Sequence, residues 1–218
     1  MKTIRSLFNR EDTAGIMFTL PFTLGFLFFM IVPMGISLYY SFCKYNILSP
    51  PVFTGLDNFK NMIADGTFLQ TIKVTFFFAF VSVPLKLIFA LLVAMLLLKN
   101  TKMSGIYRAA YYLPSIIGGS VAVAILWKRM FAMDGVVNKL LGSIGIKTSI
   151  SWLGDTKTAI WILILLAVWQ FGSSMLIFLS SLKQIPTSLY EAAMVDGANP
   201  VSRFFKITLP LLTPTIFF

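Results

Sequence analysis

Glu191, Asp196, Arg203 and Lys206 fall within sixteen positions in EAAMVDGANPVSRFFKITLP (191–210), a charged island in a chain where only 12% of residues are charged. The chemistry open to them is narrow. The 218 residues hold no histidine and one cysteine, Cys43. That removes histidine-dependent acid–base catalysis, the common histidine zinc sites, any Cys-based metal site and any disulfide framework. GSIGIKTS (142–149) has the look of a phosphate loop, yet Ile146 stands where the motif needs glycine directly before the lysine. No other phosphate-loop pattern occurs, so neither catalysis nor a bound cofactor is expected of this chain. Contact is the chemistry that remains.

Other polar groups sit inside apolar runs. Lys86 lies near the middle of one, two residues after Pro84. A charge there costs about 2.5–3.5 kcal/mol on insertion scales, which makes it a functional candidate by default. The structural alternative, a lysine facing a partner helix or a wet cleft, is favoured, because one lysine specifies no solute. Gln170, Ser173 and Ser174 could hydrogen-bond a hydroxylated solute along a path, or join helices, the commoner use. Trp169 could stack on a ring-shaped solute, but a buried or lipid-facing tryptophan is the favoured reading. Gly118-Gly119-Ser120 is expected to allow close helix packing, and Pro114 to kink its segment.

The elements that must position these residues follow from composition. Apolar residues make up 57% of the chain and mean hydropathy is +0.85. A soluble domain carries about a quarter charged residues, and a chain this size cannot hide the deficit in its core. Lipid must be the solvent for much of it. A helix needs about 20 mostly apolar residues to cross the hydrocarbon, and four segments qualify: 16–38, 72–98, 107–127 and 159–182. A fifth opens at Leu209 with LPLLTPTIFF and holds only about ten residues, so an incomplete chain is expected. The expected fold is an all-α, polytopic transmembrane bundle of four complete spans and the start of a fifth. Its divisions are an N-terminal region (1–15) and a membrane region (16–218) with a loop at about 183–208. The first segment is too long for a signal peptide's apolar core and lacks a small-x-small cleavage site, so it is a retained span.

The net charge of +10 suits anionic lipid head groups. Nucleic acid is not expected as a partner, because no basic patch is interleaved with exposed aromatics. With the N-terminus inside, nine basic residues fall on the inner side (Lys2, Arg5, Arg10, Lys99, Lys102, Arg108, Lys183, Arg203, Lys206). Eight fall outside (Lys44, Lys60, Lys73, Lys128, Arg129, Lys139, Lys147, Lys157). The margin is thin, but the first span has its basic residues ahead of it, which favours N-in. Tyr107, Tyr111, Tyr112, Trp127 and Trp161 mark ordinary interface belts.

The charged island then becomes an inner-face loop. SLYE (188–191) fits a capping box with Ser188 as N-cap and Glu191 reaching back, although Pro186 could equally be the first helical residue. Gly197 is expected to end this helix with positive φ. Asn199-Pro200 starts a second as N-cap and first residue. There Val201, Phe204, Phe205 and Thr208 share a face, while Ser202, Arg203 and Lys206 point away. On this pattern alone the loop is either an amphipathic lipid-surface element or a docking surface, with Ala192 and Ala193 permitting close approach.

The spacing of Glu191-Ala192-Ala193, Gly197, Ile207, Leu209 and Pro210 is similar to the EAA signature of binding-protein-dependent ABC importer permeases. DGA (196–198) and ITLPLL (207–212) resemble its carbohydrate-uptake branch, the maltose, multiple-sugar and glycerol-phosphate permeases. So do SFCKYNILSPPVFTGLDNFKNM (41–62), YRAAYYLPSIIGGSVAVAILWKRMF (107–131), GVVNKLL (135–141) and WLGD (152–155), in order and spacing. The resemblance covers nearly the whole chain. It implies a bacterial-type inner-membrane subunit with a cytoplasmic N-terminus, paired with a sister permease. A cytoplasmic ATP-binding subunit would hydrolyse ATP, and an extracytoplasmic substrate-binding protein would deliver sugar. It also implies that the loop docks in a cleft of the ATPase, with Glu191 as charged contact or local cap, Ala192 and Ala193 allowing approach and Gly197 setting the bend. Asp196 falls in the same signature. A same-superfamily permease for another solute is the alternative. An ion-gradient transporter is less favoured, since every acidic residue lies in a loop or at a terminus and none can form an intramembrane carboxylate pair.

Overall fold

The computed structural model describes residues 11–99, 102–146 and 150–217. Lys2, Arg5, Arg10 and Lys147, residues 1–10 of the expected N-terminal region and the Lys147–Ser149 end of GSIGIKTS lie outside them. The chain divides into two compact units at Lys73/Val74.

The first unit opens with α1 (Glu11–Phe26) and α2 (Val32–Ser41), joined through a π turn at Leu27–Ile31. The turn lies directly ahead of Pro33, whose missing N–H removes one intrahelical bond. Threonine hydroxyls in α1 donate back to their own helix, Thr19 to Gly15 O (3.0 Å) and Thr23 to Thr19 O (3.0 Å), as a polar group in lipid must. A two-stranded antiparallel hairpin comes next, β1 (Cys43–Asn46) with β2 (Ser49–Phe53), a feature the all-α expectation did not include. Asn46 Oδ1 builds its turn by accepting from Leu48 N (3.1 Å) and Ser49 Oγ (2.6 Å). α3 (Asp57–Ala64) is tied to the hairpin base through Asn58 Nδ2, which donates to Ser41 O and Cys43 O at 2.9 Å each. Asp65 accepts from Thr67 N (3.0 Å) at the start of α4 (Gly66–Leu96), and that bond holds its carboxyl below the usual value.

The second unit holds the rest of α4 and then α5 (Ser104–Ile117), α6 (Val121–Met130), α7 (Val136–Ser143), α8 (Ala159–Trp169), α9 (Gly172–Gln184), α10 (Thr187–Val195), α11 (Pro200–Arg203) and α12 (Leu209–Phe217). Its core forms where the small residues Ala90 and Ala94 of α4 admit Phe171, the N-cap of α9, and Met175, Phe178, Leu179 and Leu182 from α9 itself, with Leu212 of α12 completing the cluster. Small residues let helix backbones approach where no hydrophobic drive separates protein from solvent. Outward-facing apolar side chains such as Phe80 (72% exposed) suit lipid rather than water.

Among the described residues, two helical stretches are long and apolar enough to cross a membrane, Thr13–Ser41 and Gly66–Leu96. Two further pairs reach that standard only if each bent pair is one span: α5 with α6, bent by 96°, and α8 with α9, bent by 43°. The third segment is therefore not the Pro114-kinked rod the sequence suggests. Pro114 stays inside α5, and the chain turns at Gly118-Gly119 instead. Ser120 then takes an extended conformation and its Oγ accepts from Val123 N (3.3 Å), capping a new helix.

Candidate functional site

The loop between α9 and α12 is a preformed corner. α10 begins at Thr187 with Pro186 as its N-cap and no side-chain cap bond. The expected Ser188–Glu191 capping box does not form, because the proline brings the helix in one residue ahead of Ser188 and places both residues inside it. Glu191 and Ala192 are exposed and Ala193 is half-buried. The C-terminal end closes as a Schellman turn: Ala198 N donates to Ala193 O (2.8 Å) and Gly197 N to Met194 O (3.1 Å), with Gly197 at φ +76°. Asn199 Oδ1 accepts from Ser202 N (2.8 Å) and Pro200 is the first residue of α11, as expected.

Beyond Arg203 the helix widens into a π turn, Phe204–Thr208, before α12. This overturns the expected apolar face. Val201 and Phe205 are 65% and 59% exposed, whereas Thr208 is 6% exposed. A π turn adds a residue and rotates the remainder of the helix by about 100° relative to an uninterrupted α-helix. Thr208 thereby meets Tyr190 of α10, hydroxyl to hydroxyl at 2.9 Å. Sequence reasoning missed this pair; the signal was a threonine on a face assigned to apolar packing. Arg203, expected to point away, is half-buried, and its Nε has no hydrogen-bond partner among the described residues. Asp196, Gly197, Arg203, Lys206 and Ile207 line a cleft of about 390 Å³ within the loop. Leu209 is half-buried and Pro210 exposed where the chain enters α12.

The weaker candidates separate. Gln170 sits at the α8/α9 break and lines an apolar cleft of about 440 Å³ with Thr75, Phe78, Leu163 and Leu166. Lys86, Ser173 and Ser174 do not line it. Lys86 is half-buried on α4, Ser174 is half-buried and Ser173 is exposed. Ser115 Oγ donates to Gln170 O (3.0 Å) and accepts from Ser173 N (3.1 Å), so the two breaks are fastened together. Gly118 does serve close packing: a Cβ there would fall 2.3 Å from Gln170 Cδ. Trp169 packs on Trp127 with ring centroids 5.8 Å apart. Asn138 is a hub that sequence reasoning did not single out. Its Nδ2 donates to Met133 O and Ile150 O (2.9 Å each), and its Oδ1 accepts from Trp152 Nε1 (2.8 Å). It draws GVVNKLL and WLGD, separate stretches of the sequence, into one structure.

Residues 14–218 match the family described as binding-protein-dependent transport system inner membrane component. The chain is 55% identical over 219 residues to the probable ABC transporter permease protein YesP of Bacillus subtilis, covering all of this chain and 71% of that protein. It is 32% identical over 203 residues to the probable starch degradation products transport system permease protein AmyD of Thermoanaerobacterium thermosulfurigenes, covering 91% of this chain and 67% of that one. Among solved structures it is similar to a chain of a bacterial alginate ABC transporter in complex with an alginate pentasaccharide-bound periplasmic protein. There the TM-score is 0.75 at 25% identity, over 94% of this chain and 69% of the other.

Proposed function

The chain belongs to the family of binding-protein-dependent transport system inner membrane components, and on that premise we propose that it is the membrane-spanning permease subunit of an ATP-driven sugar importer, joined to a cytoplasmic ATPase through the loop at 183–208. Most relatives whose names specify a cargo are named for carbohydrates, starch degradation products, lactose and alginate among them, and one is named for sn-glycerol-3-phosphate; the weight of these names supports a sugar. A sister permease completes the membrane assembly, a substrate-binding protein delivers the sugar from outside, and the N-terminus lies in the cytoplasm. ATP is bound and hydrolysed by the partner subunit, and this chain contributes no catalytic step and holds no cofactor.

The observation that carries the proposal is the corner itself. Two helices meet at a Schellman turn and an asparagine cap, with Glu191 and Ala192 exposed on the outer side and open space beside Gly197. A rigid, exposed, soluble-looking element between greasy helices is what a soluble partner can seize. Closure of the ATPase around ATP shifts the population between inward- and outward-open states only if the docked loop is bound differently in the two. The cleft beside Gln170 is the candidate stretch of path, with Gln170 and Thr75 as its hydrogen-bonding groups.

The test is recovery of an ATPase with the tagged, complete protein from membranes. Wild type should bring it down. Gly197→Pro should not, at equal membrane level, because proline fixes φ near −65° where the corner needs +76°. Gly197→Asn, which tolerates that φ, should retain it. Failure of wild type to recover an ATPase across mild detergents, or full retention by the proline variant, sinks the docking assignment.

A further inference from the structure

A loop that receives a push is useful only if the push reaches the membrane helices, and the hinges that could absorb it are closed. The corner is fixed at both sides of Gly197, by the Schellman bonds and the Asn199 cap. Tyr190 on α10 and Thr208 at the end of the π turn meet at 2.9 Å, closing a ring across 18 positions of the chain. Deeper in, Ser181 of α9 and Thr215 of α12 meet at 2.9 Å, and Leu212 between the two rungs is fully buried against α9. The π turn is what makes the upper rung possible, since it rotates Thr208 onto α10.

We propose that Tyr190 and Thr208 are positioning residues of the transport step: their hydrogen bond locks α10 of the loop to the start of α12, which the Ser181–Thr215 contact ties in turn to α9, so that displacement of the docked loop moves both helices as one lever. The inference rests on the docking reading above and adds to it the link by which docking becomes motion. Neither residue touches the partner or the solute in this role. Tyr190 is half-buried and Thr208 almost wholly so. If the rung is cut, the Thr208 hydroxyl can back-bond to its own helix, so the protein folds without it. What is lost is the stiffness of the joint.

The experiment uses the complete protein in its complex, purified through a tag on this chain. A single thiol is placed at Leu211→Cys, a half-exposed position on α12, in an otherwise cysteine-free background. Its rate of reaction with a water-soluble thiol reagent is measured with and without ATP plus vanadate. The expected result is a severalfold nucleotide-dependent change with Tyr190 and Thr208 intact. Tyr190→Phe and Thr208→Val should cut that change by at least threefold while the ATPase still co-purifies and hydrolyses ATP. Thr208→Ser, which keeps the hydroxyl, should restore it. An unchanged nucleotide response in Tyr190→Phe or Thr208→Val, or no response at Leu211 in the parent complex, overturns the inference and leaves docking standing. Absence of any ATPase from the parent preparation overturns the functional reading and this inference with it.

Discussion

Replacing Gly172 by alanine asks whether the two broken spans depend on one close crossing. A Cβ at position 172 would stand 2.4 Å from Tyr111 O and 2.7 Å from Tyr112 Cα, both backbone atoms that cannot swing aside. Ordinary contact begins at 3.4 Å, so α5 and α9 must separate by about 1 Å at this point. The two bonds made by Ser115, 3.0 Å to Gln170 O and 3.1 Å from Ser173 N, then stretch to about 4 Å and cease to be bonds. Interhelical bonds in membranes are worth about 0.6 kcal/mol each, and forced overpacking costs about 1–3 kcal/mol. The expected loss is roughly 2–4 kcal/mol, or about 5–15 °C in Tm for a chain of this size. The assay is thermal unfolding of the purified protein in one detergent, tracked by intrinsic fluorescence. Gly119→Ala is the control, since nothing lies within 4 Å of a Cβ at that position although it is equally a glycine of the broken third span. Equal melting of the two variants, whether both fall or both match wild type, refutes the crossing argument.

Gly118→Ala should behave differently from both, because the atoms nearest its new methyl belong to the flexible side chain of Gln170, at 2.3–2.6 Å. Tm should fall by less than in Gly172→Ala, while solute uptake changes because Gln170 is pushed from its place in the cleft; an unaltered uptake rate counts against Gln170 lining the path. Asn138→Leu strips partners from Trp152 Nε1 and from the carbonyls of Met133 and Ile150. It should cost about 1–3 kcal/mol per group left buried and unpaired, read as a lowered Tm and a changed emission from Trp152. Topology is tested with thiols at Leu48→Cys on the hairpin tip (96% exposed) and Val195→Cys on the loop (88% exposed). An impermeant reagent added outside intact cells should label the first and spare the second; the reverse pattern refutes the N-in arrangement, and labelling of both refutes the placing of hairpin and loop on opposite faces.

Sequence alone determined the solvent, the order of apolar segments and the corner of the loop. Each of these is local or compositional. A charged fraction of 12% admits only lipid, whatever the fold. Gly197 and Asn199-Pro200 impose their conformations through their own side chains, or the lack of one, so both appear where the sequence put them. Within the candidate site only the bend was legible in this way; of the expected Ala192-Ala193 face, Ala192 is exposed and Ala193 half-buried.

What the tertiary structure decided depends on contacts between distant residues or on small choices between competing helical geometries. Apolar periodicity cannot distinguish one straight span from two helices meeting at 96°, since both bury the same residues in lipid; Ser120 decides it by capping a new helix. The capping box at Ser188 lost to a proline two residues earlier. The π turn at Phe204–Thr208 carries no sequence mark of its own, yet it turns Thr208 inward, off the face of the exposed Val201, and creates the Tyr190 bond. Likewise Asn138 and Trp152 are ordinary residues until the fold closes the fourteen positions between them. Short-range rules fix where helices start and stop; the side chains that meet across them are fixed only when the helices pack.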